Sequence, residues 1–283
     1  MTTPWTTLVG AGTLAGALDR DDLVILDCRF SLAAPEAGPA AYAASHLPGA
    51  LYAHLDRDLS DHRKRGGGRH PWPDAADFNA RLGDWGITQA RQVVAYDDGD
   101  GAHAARLWFL LRALGHEHAA VLDGGWARWT ALGLPTQIGV RDVTRVARDG
   151  RFDESRLLNA SQVQAHLARG GMLVDARARG RFLGEAEPID RVAGHVPGAV
   201  NRPYADNLVE GRFKPRDRLA REFGELLGTH DAADVVAMCG SGVTACHHLL
   251  AMEHAGLPGA KLFTGSWSGW IEDPARPVVT GES

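Results

Sequence analysis

Cysteine is scarce in this chain of 283 residues. The three cysteines, at positions 28, 239 and 246, are too few and too irregularly spaced for a disulfide framework. They form no C-x-x-C pair of the kind that binds zinc. The sequence therefore indicates a reducing compartment, and it predicts neither a bound metal nor another cofactor.

Long apolar runs and a strong excess of charge are also missing. No apolar stretch approaches the roughly 18 residues that a membrane-spanning helix needs, and the opening Met1-Thr-Thr-Pro-Trp has no basic or apolar signal region. The net charge is −5, so no basic surface for nucleic acid is indicated. We expect a cytoplasmic protein that binds neither membranes nor nucleic acids.

The stretch at 235–246, VVAMCGSGVTAC, is typical of a strand, a tight loop and a helix. Apolar residues precede Cys239, glycines follow it, and helical spacing begins at Val243. The unpaired N–H groups of the first helical turn would then face the cysteine and stabilise its thiolate, which is the reactive form. A lone cysteine at a strand end is more often a small buried apolar residue. The flanking glycines favour a nucleophile.

An internal repeat determines the predicted domain organisation, because four sequence blocks occur twice in the same order. The block pairs are Leu23–Arg29 with Met172–Arg177, His46–Ala50 with His195–Ala199, Gln92–Asp97 with Asp234–Cys239, and Asp123–Trp129 with Thr264–Trp270. Short β-type runs alternate with helical patterns, which predicts α/β domains with a parallel sheet flanked by helices. We expect two tandem domains at 1–138 and 154–283, joined by a linker at 139–153.

The first copy differs from the second where the chemistry is predicted. Asp97 occupies the position of Cys239, so the first domain is expected to be catalytically silent. We expect it to form one side of a single site at the domain interface. Another irregular segment, residues 61–73, is basic and glycine-rich. Such a run is usually a solvated loop, but it can also bind an anionic ligand.

The paired domains, the two His-x-Pro-Gly-Ala turns and the loop Cys239-Gly-Ser-Gly-Val-Thr together resemble the two-domain sulfurtransferases of the rhodanese superfamily. The resemblance covers nearly the whole chain and implies two tandem rhodanese-like domains. Within the superfamily, the loop is similar to that of 3-mercaptopyruvate sulfurtransferases, whereas thiosulfate sulfurtransferases usually carry Cys-Arg-Lys-Gly-Val-Thr. The resemblance implies that a sulfur atom is transferred through a Cys239 persulfide to a thiol or to cyanide.

The same resemblance implies the residues of a proton relay. In the mercaptopyruvate family, the loop serine acts with an aspartate and a histidine of the first domain. Ser241 is read directly from the loop, Asp56 follows the first His-x-Pro-Gly turn, and His70 precedes a proline-bearing segment. The alternatives are that Asp56 caps a turn and that His70 is an exposed side chain.

The resemblance also implies how the donor's carboxylate is bound. Gly180-Arg181-Phe182 supplies one family arginine, and Arg191 follows Glu187-Pro188 in a shifted position, so either Arg191 is the second cation or that cation is missing. The loop itself is expected to contribute further substrate contacts through Gly240, Gly242, Val243 and Thr244. Because the loop has Gly240 and Ser241 in place of Arg-Lys, we expect no charge there and a preference for 3-mercaptopyruvate over thiosulfate.

Three other functions stay open at this point. A thiosulfate:cyanide sulfurtransferase would use the same cysteine with another donor. A cysteine phosphatase needs an arginine six residues after the cysteine, where this chain has Ala245. A non-catalytic binding module would explain Asp97 but not Cys239. The expected partners are a small-molecule sulfur donor and a thiol acceptor, such as a small thiol or a thioredoxin-like protein.

Overall fold

The computed structural model of the chain describes residues 3–139 and 141–282. Contacts divide these residues into two compact units. The second unit comprises His62–Trp72, Glu154–Val209 and the described residues from Phe213 onward, and the first comprises the rest, including Glu210–Arg212. Residues 62–72 fall within the predicted first domain, 1–138, but their contacts place them in the second unit. The predicted linker at 139–153 includes Val140, which lies outside the described residues.

The first unit is built on a parallel sheet of five strands in the order β1-β5-β4-β2-β3. The strands are β1 Leu8–Val9, β2 Leu23–Asp27, β3 Leu51–Tyr52, β4 Gln92–Tyr96 and β5 Ala119–Leu122. The helices are α1 Ala11–Ala15, α2 Ala37–Ala44, α3 Leu55–Asp58, α4 Ala75–Asp84, α5 Ala102–Ala113 and α6 Gly125–Ala131. Every residue of β2 and β4 is buried, which is why both strands read as apolar runs without alternation.

The second unit has a parallel sheet of the same topology, in the order β6-β12-β11-β7-β8. The strands of this sheet are β6 Leu157–Leu158, β7 Met172–Asp175, β8 Ala199–Asn201, β11 Val235–Met238 and β12 Lys261–Phe263. A separate two-stranded sheet is formed by β9 Leu208–Val209 and β10 Arg212–Phe213. The helices are α7 Ala160–Ala168, α8 Arg179–Leu183, α9 Arg216–Leu227, α10 Ala245–His254 and α11 Ser266–Trp270. The two sheets confirm the predicted fold class.

The repeated blocks place the same buried ion pair at the end of a central strand in each unit. Asp27 binds Arg29 at 2.6 Å, and Asp175 binds Arg177 at 2.7 Å. Each guanidinium also lies over a tryptophan ring from the repeated Trp block, 4.5 Å from Trp126 in the first unit and 4.6 Å from Trp267 in the second (distances to ring centroids). A buried charge needs such a partner, so the Asp-x-Arg pattern is structural in both copies.

Among the described helices, none combines the length and the apolar character needed to cross a membrane.

Candidate active site

The loop around Cys239 follows β11 directly, as the sequence predicts. Gly242 has a φ of +76°, a left-handed value that glycine adopts without strain, and the chain then enters α10 at Ala245. Helical spacing predicted a start at Val243, which is wrong by two residues because Val243 and Thr244 still belong to the turn. The side chain of Cys239 is almost completely buried at the base of this loop.

The start of α11 fixes the base of the loop. The N–H of Cys239 donates to the Ser266 hydroxyl over 3.0 Å. In the other direction, the N–H groups of Trp267 and Ser268 donate to the carbonyls of Cys239 and Gly240 over 3.0 and 2.9 Å. Three hydrogen bonds to one helix end hold the cysteine backbone, so the position of the sulfur is set by the fold.

Around the sulfur, most backbone N–H groups of the loop find no acceptor among the described residues. The N–H of Gly242 donates to Sγ of Cys239 over 3.2 Å. The N–H groups of Gly240, Ser241, Val243 and Thr244 donate to no acceptor within the described parts of the chain. Unpaired amides of this kind stabilise negative charge on a sulfur or on a bound anion.

The equivalent loop of the first unit is satisfied by its own side chain. Asp97 is buried at the position equivalent to Cys239, and its carboxylate accepts four backbone hydrogen bonds of 2.9 to 3.1 Å. The donors are the N–H groups of Gly99, Gly101, His103 and Ala104. This loop therefore has no thiol, and a carboxylate already takes up the amides that an anionic ligand would use.

Ser241 pairs with His70 within the second unit. The Ser241 hydroxyl and Nδ1 of His70 are 2.8 Å apart, and both side chains are buried. The His62–Trp72 segment that carries His70 is held at α11, because Glu272 and the Ser268 hydroxyl accept the N–H groups of Gly68 and Arg69. The alternative of an exposed His70 is wrong.

Arg181 lies beside the loop, as the sequence analysis expects, but Arg69 accompanies it. A Cβ atom built on Gly240 would lie 3.1 Å from Nη2 of Arg69 and 3.5 Å from Nη1 of Arg181. Asp190 binds both arginines, at 2.7 Å to Arg69 and 2.9 Å to Arg181. The loop residues themselves carry no charge, as expected, but two cations from elsewhere in the chain lie beside Gly240.

Arg191 and Asp56, the other two predicted site residues, each make a hydrogen bond to a residue outside the Cys239 loop. Arg191 is exposed, and its guanidinium donates to the carbonyl of Ile271. Asp56 belongs to the first unit, where its N–H donates to Nδ1 of His54 at the start of α3. A catalytic role of Asp56 stays a prediction.

The other two cysteines and the histidine His248 lie in the packed interior. Cys28 and Cys246 are buried, and burial, followed by the nearby Asp27 charge, holds the pKa of the Cys28 thiol well above its usual value. Burial also lowers the pKa of His248 to about 3, and its ring nitrogens bond to Asn207 and to a backbone carbonyl.

A group of carboxylates that the sequence did not indicate is formed by Asp61, Asp74 and Asp77, which are close enough to share an ion.

Comparison with known proteins identifies the family. The rhodanese-like domain matches residues 11–132 and again 159–273, which is more than half of the chain. The chain belongs to the rhodanese family. It is a sulfurtransferase, which confirms the predicted class of enzyme and disfavours the phosphatase and the binding module.

Named relatives cover nearly the full length. A Pseudomonas aeruginosa protein named "Probable 3-mercaptopyruvate sulfurtransferase" is 48% identical, over 97% of this chain and 98% of its own. SseB of Mycobacterium tuberculosis is 40% identical over 97% of both chains and carries the name of a thiosulfate sulfurtransferase. The structure of 3-mercaptopyruvate sulfurtransferase from Leishmania major is similar with a TM-score of 0.84 at 29% identity, over 96% of this chain and 77% of that one.

The placement of His70 and Arg69 depends on Gly68. This glycine has a φ of +77°, and a Cβ there would lie 2.5 Å from the carbonyl oxygen of Gly265. We expect Gly68→Ala to lower the sulfur-transfer rate by at least about tenfold, because the segment must move away from α11. Gly115 has a φ of +78° and open space around it, so Gly115→Ala is the matched control.

The control should lose about 1–2 kcal/mol of unfolding free energy from backbone strain and keep its rate. Denaturant unfolding and a transfer assay on both variants make the comparison. A Gly68→Ala protein that transfers sulfur at the normal rate would contradict this description of the segment.

Proposed function

We propose that the chain transfers sulfur from 3-mercaptopyruvate, through a persulfide on Cys239, to a thiol or to cyanide. The observation that carries the proposal is the buried Ser241–His70 hydrogen bond, two residues from the cysteine in a loop of unpaired amides. A proton-transferring pair next to the nucleophile is useful only when the leaving group needs a proton. The names of the Pseudomonas and Leishmania relatives support the same donor.

The first half-reaction begins with the Cys239 thiolate. It attacks the sulfur of 3-mercaptopyruvate, an S–S bond forms, and the C–S bond breaks. The electron pair of the broken bond stays on carbon as the enolate of pyruvate, which then takes up a proton. The persulfide is left on Cys239, and a thiol or cyanide removes its outer sulfur in the second half-reaction, so the kinetics should be ping-pong. No cofactor is needed for this balance.

Ser241 and His70 serve the enolate. The Ser241 hydroxyl can donate to the developing negative charge while Nδ1 of His70 takes part in moving the proton. Burial of both side chains excludes competing water and strengthens the interaction. Asp56 would complete the relay, as the family resemblance implies.

The donor's anionic end would be bound by Arg181 and by the amides of Gly240, Gly242, Val243 and Thr244. Arg181 is fixed for this purpose by Glu187, which accepts from its Nε over 3.0 Å. Burial disfavours the charged form of Glu187, but the hydrogen bonds from Arg181 and from two backbone amides outweigh it and hold the pKa of this carboxyl below its usual value. Arg191 would have to leave the Ile271 carbonyl to take part.

Thiosulfate is the second candidate donor. The guanidinium groups beside Gly240 could bind its sulfonate end, and the Mycobacterium relative is named for this donor. Its leaving group is sulfite, which departs without protonation on carbon. The Ser241–His70 pair would then have no chemical task, and for this reason we favour 3-mercaptopyruvate.

The two domains have different roles in the proposed reaction. The first, residues 1–138, has no nucleophile of its own because Asp97 occupies its loop, and residues 139–153 link it to the domain at 154–283 that carries Cys239. A small thiol or a thioredoxin-like protein would accept the sulfur. The cytoplasmic location stays a prediction.

Persulfide formation tests the proposal directly. After treatment with 3-mercaptopyruvate in the absence of an acceptor, mass spectrometry should find one added sulfur on the peptide that carries Cys239. Cys239→Ser should abolish transfer, whereas Cys28→Ala should retain it, because the raised pKa of the buried Cys28 thiol disfavours its reactive form. Sulfur on Cys28 or Cys246 would sink the proposal.

The histidine can be tested by comparing donors. We expect His70→Ala to slow transfer from 3-mercaptopyruvate by about a hundredfold and transfer from thiosulfate much less, because only the first donor leaves as a carbanion. His230→Ala is the control, since it removes a partly buried histidine outside the His62–Trp72 segment, whereas the ring of His62 contacts that of His70. Equal losses with both donors would assign His70 a purely structural role.

A further inference from the structure

We propose that Arg69 is the second cation of the donor site, and that it binds the carboxylate of an α-keto acid donor together with Arg181. This inference rests on the proposed function and adds a residue that lies outside the family's arginine pattern. The family resemblance implies either Arg191, in a shifted position, or no second cation at all.

Arg69 and Arg181 both lie beside the reacting cysteine. Nη2 of Arg69 and Nη1 of Arg181 are the groups nearest to the space above Gly240, at 3.1 and 3.5 Å from a Cβ built there. Gly240 directly follows the nucleophile, so an anion held by these groups would lie beside the reacting sulfur. A Cβ at position 240 would be in tight contact with the Arg69 guanidinium.

The two arginines keep hydrogen-bond donors that the described residues leave unused. Asp190 binds Nη1 of Arg69 and Nη2 of Arg181, and Glu187 binds Nε and Nη2 of Arg181. Within the described residues, Nε of Arg69 is buried without a partner, and neither Nη2 of Arg69 nor Nη1 of Arg181 makes a hydrogen bond. Two of these donors, Nη2 of Arg69 and Nη1 of Arg181, are the ones that lie closest to Gly240.

The two arginines are held in place before a ligand binds. Two guanidinium groups repel each other, and the Asp190 carboxylate between them offsets that repulsion at 2.7 and 2.9 Å. Asp190 is itself held, because its N–H donates to Glu187 over 3.0 Å. A carboxylate ligand would thus meet two fixed cations, and paired hydrogen bonds from arginine suit its geometry.

The steady-state test uses Arg69→Gln. We expect the KM for 3-mercaptopyruvate to rise by about tenfold or more, the loss typical of a hydrogen bond to a charged group, with a smaller effect on kcat. Arg65→Gln is the matched control, because it removes the same charge from an exposed position of the same segment. The control should keep the KM of the unmodified enzyme.

A second measurement needs no sulfur donor. Iodoacetate and iodoacetamide alkylate the same thiol and differ in the carboxylate, so the ratio of their rates on Cys239 of the sulfur-free enzyme reports anion binding at the loop. Arg69→Gln should lower the iodoacetate rate by about tenfold relative to iodoacetamide, and Arg65→Gln should leave the ratio unchanged. An intact loop would be shown by an unchanged iodoacetamide rate.

The outcomes separate the two claims. If the unmodified enzyme does not use 3-mercaptopyruvate, the proposed function fails, while the alkylation ratio still decides whether Arg69 binds an anion. The assignment of Arg69 is overturned if the KM stays unchanged in Arg69→Gln, if both alkylation rates fall equally, or if Arg65→Gln has the same effect.

Discussion

The site depends on backbone N–H groups around one sulfur atom that find no acceptor among the described residues. A strand that ends in a tight turn before a helix cannot pair the amides of that turn internally, so something else must take them up. In the first unit, the carboxylate of Asp97 accepts four of these amides. In the second unit, Cys239 takes one and leaves the others for a ligand. Asp97 and Cys239 occupy equivalent positions. The Asp97 carboxylate takes up the amides of its own loop, whereas Cys239 leaves amides of its loop for a ligand.

A run of alternating charges connects this loop to the core of the second unit. Its members, in order from the sheet to the loop, are Asp175, Arg177, Glu187, Arg181, Asp190 and Arg69. Buried ion pairs contribute little net stability, because desolvation cancels most of the attraction, but they fix where each charge lies. The Asp-x-Arg pair that both repeats share as a structural feature therefore continues, in the second unit, to the cations beside the nucleophile.

The parts of this arrangement that local sequence determines were predictable. The strand before Cys239, the glycine turn and the repeated blocks depend on neighbouring residues, and the structure confirms them. The start of α10 was wrong by two residues, since spacing alone does not distinguish a turn from a first helical turn. Arg69 was missed, although the basic segment that contains it was noted, because its role depends on Asp190, which is 121 positions away in the sequence. Likewise, no local pattern shows that Arg191 donates to the carbonyl of Ile271.

The identity of the sulfur donor is the claim on which the roles of Ser241, His70 and the two arginines depend. The most direct test compares kcat/KM for 3-mercaptopyruvate and for thiosulfate on the unmodified protein, with the same acceptor at the same concentration. A site that contains a buried proton-transferring pair should give the higher value with 3-mercaptopyruvate. A higher value with thiosulfate would contradict the account, because the cations beside Gly240 would then serve a sulfonate and the Ser241–His70 pair would have no part in the chemistry.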